Sequence, residues 1–202
     1  MGTTPSKSNV QNACHSQIKG TGDVPAENEN IILNPTFNDG VNNWSGRGCK
    51  ILVQDSTADG TVLPKSGKHF ASATDRTESW NGIQQDITGR VQQKLSYQLS
   101  AVVRIHGKNA TSANVQATLW VQTPDLYEQY ICIANMQATD KNWGQLQGEF
   151  LLNCNPSKVV VYLEGPPRGT DILLDSLSLK HAEKILPLPA PGTEKEWIKF
   201  EA

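Results

Sequence analysis

The chain has 202 residues, enough for one domain with a hydrophobic core. Its formal net charge of −2 gives no basic excess for nucleic acid, and no apolar run is long enough to cross a membrane. Four cysteines, Cys14, Cys49, Cys132 and Cys154, stand far apart without a CxxC pair, which argues against a zinc site.

Residues 1–28 are polar, without hydrophobic period, and read as a linker expected to be disordered. Cys14 lies in that segment, so at most one internal disulfide is expected. The polar start lacks the apolar stretch of a signal peptide, which leaves a cytosolic protein or a piece of a longer chain. Sequons at Asn43 and Asn109 favour secretion only by their presence. Short β-rich runs then follow at 31–33, 49–54, 69–73, 83–87, 95–105, 115–122, 129–136, 146–152, 159–164 and 172–179, with Gly, Pro and Asn between them. No long 3.6-residue period is present. This pattern predicts an all-β, two-sheet sandwich or jelly roll. Alternation is clearest where Leu95, Tyr97, Leu99, Ala101, Val103 and Ile105 oppose Ser96, Gln98, Ser100, Val102 and Arg104. The polar set is what a concave sheet needs to line a groove for a hydrophilic polymer.

The runs 159–164 and 171–179, joined by Gly165 to Thr170, read as a hairpin. Val159, Val161 and Leu163 form a core face; Val160, Tyr162 and Glu164 face the other way. Tyr162 and Glu164 are read as part of a ligand face, hydrated in an open groove. In the return strand Leu173, Leu177 and Leu179 share a face with Asp175, and a carboxylate in an apolar row needs a reason. Cation ligation at a sheet edge and capping of a turn both supply one. Residues 183–202 carry a Pro-rich spacer, 186–192, and then Trp197 and Phe200 without a core to join, the start of a further segment. The domain is expected over 29–182.

No catalytic constellation emerges. His15, His69, His106 and His181 are scattered, and no GxSxG, HExxH or phosphate loop occurs. Glu164 with Asp86 or Glu128 would make a glycosidase pair only if the fold brought them face to face. Trp80 stands in the polar run Thr77-Glu78-Ser79-Trp80-Asn81, where a core ring is not expected. Trp44 and Trp120 are read as core, and Trp143 as packing at the start of a strand.

Several landmarks together resemble the family 22 carbohydrate-binding modules that accompany family 10 xylanases. They are Asn34-Pro35-Thr36-Phe37-Asn38-Asp39-Gly40 with Trp44 and Arg47; Arg76-Thr77-Glu78-Ser79-Trp80-Asn81-Gly82; Tyr130 followed by Trp143-Gly144; and Tyr162-Leu163-Glu164 followed by Asp175. The resemblance covers about residues 29–181, and the linkers and length are similar to plant members. It implies a jelly roll with a concave xylan-binding face, carried by Arg47, Trp80, Tyr130, Tyr162 and Glu164. The residue chemistry agrees: aromatic rings stack on the C–H face of a pyranose, while guanidinium and carboxylate read its hydroxyl rim. The resemblance further implies a structural calcium held by Thr36, Asn38, Lys50 and Asp175, through hard oxygens that include backbone carbonyls. The family commonly has Glu where Asn38 stands, so one formal charge is lost. The implied role is a non-catalytic, monomeric module that binds β-1,4-xylan and keeps an attached xylanase near plant cell-wall polysaccharide after secretion. A glycan-cleaving domain of the same sandwich class and a protein-interaction domain using the same aromatic face are the alternatives.

Overall fold

The computed structural model describes residues 29–108 and 110–182. The segments 1–28 and 183–202, with Cys14, Trp197 and Phe200, and the sequon residue Asn109 lie outside the described residues. The runs bounded by turn residues become ten strands: β1 (Ser45–Arg47), β2 (Lys50–Gln54), β3 (Phe70–Thr74), β4 (Gly82–Asp86), β5 (Ser96–His106), β6 (Ser112–Gln122), β7 (Glu128–Thr139), β8 (Gly144–Leu151), β9 (Lys158–Glu164) and β10 (Asp171–His181). They form two five-stranded antiparallel sheets, ordered β1-β4-β9-β6-β7 and β2-β3-β10-β5-β8. This is the predicted two-sheet sandwich. Between the sheets lie Phe37, Ile83, Tyr97, Leu119, Leu146 and Leu163, all buried, each contributing about 1.5–3 kcal/mol by leaving water.

Four expectations change. The run 31–33 is not a strand: Asn30 makes a single bridge to Lys180, and the N–H and C=O of Leu33 are taken by the Gln85 side chain at 2.9 Å each. The short β1 was missed because Gly46 and Gly48 read as turn. Residues 159–179 are not a hairpin, because β9 belongs to the first sheet and β10 is the central strand of the second. Gly165 to Thr170 is the crossover between sheets, and a Cβ on Gly165 would stand 2.4 Å from the Asn114 carbonyl oxygen. The polar face of β5 belongs to the second sheet and points away from the face that carries Tyr162.

Two bulges set which side chains face where. In β10 the register with β5 shifts between Leu174 and Ser176. Ile172 and Leu174 point into the main core before it, and Leu177 and Leu179 after it. Leu173 instead joins Val62 and Phe70 in a small outer cluster. The single-face row of Leu173, Asp175, Leu177 and Leu179 is therefore broken: an extra residue reverses the two-residue alternation. In β7, Ala117 pairs with Ala134 but Thr118 with Cys132, so Ile133 is the extra residue. Ala134 and Ala138 pack inward above it. Below it the parity flips, and Tyr130 turns outward, 54% exposed.

The turn before β4 is held by Arg76, which is buried. Its Nε donates to Asn81 O at 2.8 Å, and Nη2 to Pro166 O at 2.8 Å and Ser79 O at 3.1 Å. Glu78 O, Pro167 O and Thr170 O complete the set of acceptors. One guanidinium thus ties the Glu78–Asn81 turn to the crossover after β9. Asn81 closes the turn from inside, its Oδ1 accepting from Thr77 N at 3.1 Å and Glu78 N at 2.9 Å. Gly82 must be glycine, because a Cβ there would stand 1.7 Å from Leu163 O. Lysine keeps the charge at position 76 but cannot reach all six carbonyls; Glu78 O, Ser79 O and Pro167 O keep backbone donors, whereas Asn81 O, Pro166 O and Thr170 O would lose the guanidinium. Arg76→Lys is expected to cost at least about 2 kcal/mol of stability in urea unfolding. Equal midpoints for variant and wild type would show that the clamp is dispensable.

Candidate functional site

The site is the outer face of the first sheet. Val159, Val161 and Leu163 of β9 pack into the core, as read from alternation. Val160, Tyr162 and Glu164 therefore point out. Register supplies their neighbours: Tyr162 lies between Gln84 of β4 and Thr118 of β6, and Glu164 lies beside Gln116. Thr118 in turn pairs with Cys132, and Trp120 with Tyr130. Trp80, 55% exposed, caps this face from the Arg76-held turn, and Gly165 N donates to Ser79 O at 2.8 Å.

Arg47 belongs to β1 and Tyr130 to β7, the two edges of this sheet. Four strand spacings separate them, roughly 19 Å in a flat sheet. Yet the Arg47 guanidinium carbon lies 5.5 Å from the Tyr130 ring centroid and 4.7 Å from that of Tyr162. The sheet is curled toward this face, and its edges meet above its centre. The twist of strands and the β7 bulge both favour that curl.

The consequence is a layered site. Tyr162 and Glu164 are only 3% and 8% exposed, so they form a floor beneath Arg47 rather than a hydrated surface. The Thr118 hydroxyl donates to Glu164 Oε1 at 2.6 Å and Gln116 Nε2 donates to it at 2.9 Å. Burial pushes the Tyr162 phenol up to about 12, with the Glu164 charge adding to the shift and Arg47 opposing it. Tyr162 therefore stays a neutral donor throughout the neutral range. Four of the five sequence-predicted residues, Arg47, Tyr130, Tyr162 and Glu164, meet on this one face, with Trp80 at its margin. Sequence reasoning missed Gln116 and Thr118, whose signal was their alternation with Val115, Ala117 and Leu119 on β6. Arg76 and Asn81 stand in the motif around Trp80, but their buried roles in holding the turn were not read from it.

The other tryptophans divide. Trp44 is core, packed 5.2 Å from Phe37, with Nε1 donating to Asn34 O at 3.0 Å. Trp143 packs edge-on against Phe70 and donates to Leu63 O at 2.9 Å. Trp120, read as core, instead stands on the outer face with Lys158 Nζ 5.2 Å from its ring centroid. Its parity within β6 matches Gln116 and Thr118, not Leu119. Cys49, Cys132 and Cys154 are free thiols.

Glu164, Asp86 and Glu128 share the face but not a cleft wall. Asp86 is level with Val160 and Glu128 with Gln122 beside Lys158. Asp86 thus lies four strand residues from Glu164, roughly 13 Å, and Glu128 six. Both exceed the about 6.5–9.5 Å of an inverting glycosidase pair.

Of the four calcium positions, Lys50 and Asp175 stand at opposite ends of β3. Asp175 is fully buried at the bulge of the central strand, not at a sheet edge. Its Oδ1 accepts from Lys65 N at 2.6 Å and Ser66 N at 3.1 Å, and its Oδ2 from the Ser66 hydroxyl at 2.7 Å. This is the turn-capping reading of that carboxylate. Lys50 pairs with Thr74 at the far end of β3 and forms an ion pair with Asp75 at 2.8 Å. Asp175 lies past the Leu174–Ala71 pair, toward the opposite end of β3. Asn38 donates to the Thr36 hydroxyl at 3.0 Å. Among the described residues no cluster of three or more His, Cys, Asp or Glu is placed to hold a metal.

A family model described as "Carbohydrate binding domain" matches residues 29–170. Among curated proteins, the chain is 63% identical over 171 residues to Endo-1,4-beta-xylanase 1 of Arabidopsis thaliana, covering 85% of this chain and 18% of that protein. It is 57% identical over 168 residues to Endo-1,4-beta-xylanase 3 of the same plant, covering 83% and 22%. The chain thus spans about a fifth of the length of these relatives. Among solved structures, the CBM22-1 xylan-binding domain from Paenibacillus barcinonensis Xyn10C matches with a TM-score of 0.67 and 25% identity, over 77% of this chain and 96% of that one. A further xylan-binding domain from family 22 matches in fold with a TM-score of 0.66 at 20% identity, over 79% and 99%. With its sandwich, its site face and a family match across most of the described residues, the chain belongs to the carbohydrate-binding domain family, alongside the family 22 modules of xylanases.

Proposed function

We propose that the chain binds β-1,4-xylan or its oligosaccharides on the outer face of the first sheet, without cleaving them. The observation that carries this is the meeting of Arg47, Tyr130 and Tyr162 above Glu164 on one curled face, with Trp80 exposed at its margin. Exposed rings stack on the C–H faces of sugars, and the guanidinium offers donors to their hydroxyls. Trp80 and Tyr130 are the stacking platforms. Glu164 and Tyr162 hold the floor, and Arg47 is the donor above them. The module is a monomer in a secreted plant protein, joined to a family 10 xylanase, and raises that enzyme's effective concentration on cell-wall polysaccharide. The wide carboxylate spacing and the likeness to xylan-binding domains support binding over cleavage.

Trp80→Ala is expected to weaken xylohexaose binding by about 1–3 kcal/mol, on the scale of base–aromatic stacking, with the melting temperature kept. Calorimetry and a thermal melt check both halves. Unchanged affinity removes the platform, and a partner protein captured through Trp80 without sugar binding would favour the interaction-domain reading.

Glu164→Ala leaves the buried Thr118 hydroxyl and the half-buried Gln116 amide without their acceptor. It is expected to lower stability by about 1–3 kcal/mol as well as affinity, whereas Glu164→Gln keeps an oxygen and costs less on both counts. Wild-type binding should be nearly independent of salt, because a neutral ligand displaces few ions. A reducing-end assay that shows sugar release lost in both variants would make Glu164 catalytic.

A structural calcium is also proposed, from the resemblance alone, with Asp175 and the turn of Thr36 and Asn38 as ligands and Lys50 left out. Leu177 N donates to Pro35 O at 3.1 Å, which keeps that turn beside β10. Calcium is expected to raise the melting temperature slightly in the wild type and more in Asn38→Glu, which restores a carboxylate. Melts indifferent to calcium and chelator in both proteins would remove the ion.

A further inference from the structure

We propose that Trp120 is a further sugar subsite on the same face, covered in the free protein by Lys158; this rests on the xylan-binding reading above. Four observations lead there. Trp120 projects from β6 on the side that carries Thr118 and Gln116, directly opposite Tyr130 on β7. The binding face therefore continues without a break from Tyr130 onto the indole. The Trp120 Nε1 is buried and has no acceptor. A buried donor without a partner is a standing cost, which a ligand hydroxyl relieves.

The third observation is the cover itself. Lys158 lies across the ring, its ammonium 5.2 Å from the centroid, and makes no ion pair among the described residues. The indole is half-buried, and a cation over such a ring contributes about 0.5–2 kcal/mol, which a stacked sugar ring can replace when the flexible stem swings aside. The fourth is the polar fringe. Glu128 stands two pairs beyond Tyr130 on the same face and accepts from its hydroxyl at 3.3 Å, while Asp86 flanks Val160 on the other side of the indole. Platform, donor and two acceptors are the groups that one pyranose needs. The two carboxylates disfavour an acidic sugar, so the ligand is a further neutral xylose of the same chain. Sugar binding exchanges a cation–π contact for a stacked ring and moves Lys158 to the rim.

The test compares xylotetraose and xylohexaose by calorimetry for wild type, Trp120→Ala and Lys158→Ala, with a thermal melt of each. The wild type is expected to bind the hexaose about tenfold more tightly than the tetraose. Trp120→Ala should bind the tetraose as the wild type does and lose the gain from length. Lys158→Ala should bind the hexaose a few-fold more tightly and the tetraose unchanged. Equal losses for both ligands in Trp120→Ala would make the ring structural and overturn the subsite. Should Trp120→Ala fail to fold, an unchanged hexaose affinity in Lys158→Ala overturns it instead. A wild type that binds both lengths equally overturns the subsite and leaves the xylan reading intact. One that binds neither overturns that reading, and the subsite with it.

Discussion

A single buried cation, Arg76, joins the parts of this domain that matter for binding. Its guanidinium makes no direct ion pair with a carboxylate among the described residues, although the charges of Asp171 and Glu164 act on it; six backbone carbonyls surround it instead. A buried charge is costly, and an arginine keeps its charge even where desolvation lowers its pKa. The planar fork can satisfy that charge only if both loops hold one geometry. The turn that presents Trp80 and the crossover that ends β9 are therefore fixed relative to each other. An exposed platform on a loop becomes as well placed as one on a strand.

The second constraint is the curl of the first sheet. Curling brings Arg47 from one edge and Tyr130 from the other over Tyr162. It also explains why Tyr162 and Glu164 are shielded although they face outward. Glu164 is held by Thr118 and Gln116 before any ligand arrives. Such preorganisation reduces the ordering cost of binding. The long side chains Arg47 and Lys158 lie over rings above the floor. The same geometry separates the carboxylates of the face. Asp86 and Glu128 are carried to rows away from Glu164 by strand register alone. A face with scattered acceptors, exposed rings and one guanidinium suits recognition of many hydroxyls along a polymer.

Composition, turn residues and two-residue alternation determined the all-β class, nearly every strand and the split of β9 into a core face and a site face. These are local properties: each depends on which residues are neighbours in the chain. The residue motif around Trp80 and the pair Tyr162 and Glu164 were legible for the same reason. Everything that depends on counting across strands was decided by tertiary structure. The bulge at Asp175 reversed the parity of β10, moved Leu173 to an outer cluster and made the carboxylate a cap for the Lys65–Ser66 turn. The bulge at Ile133 turned Tyr130 outward. Sheet membership separated β9 from β10 and sent the polar face of β5 to the far side. It also placed Trp120 on the binding face and Lys50 away from Asp175. Alternation is a rule about one strand, and a single extra residue or a crossover between sheets changes its meaning without any mark in the residues themselves.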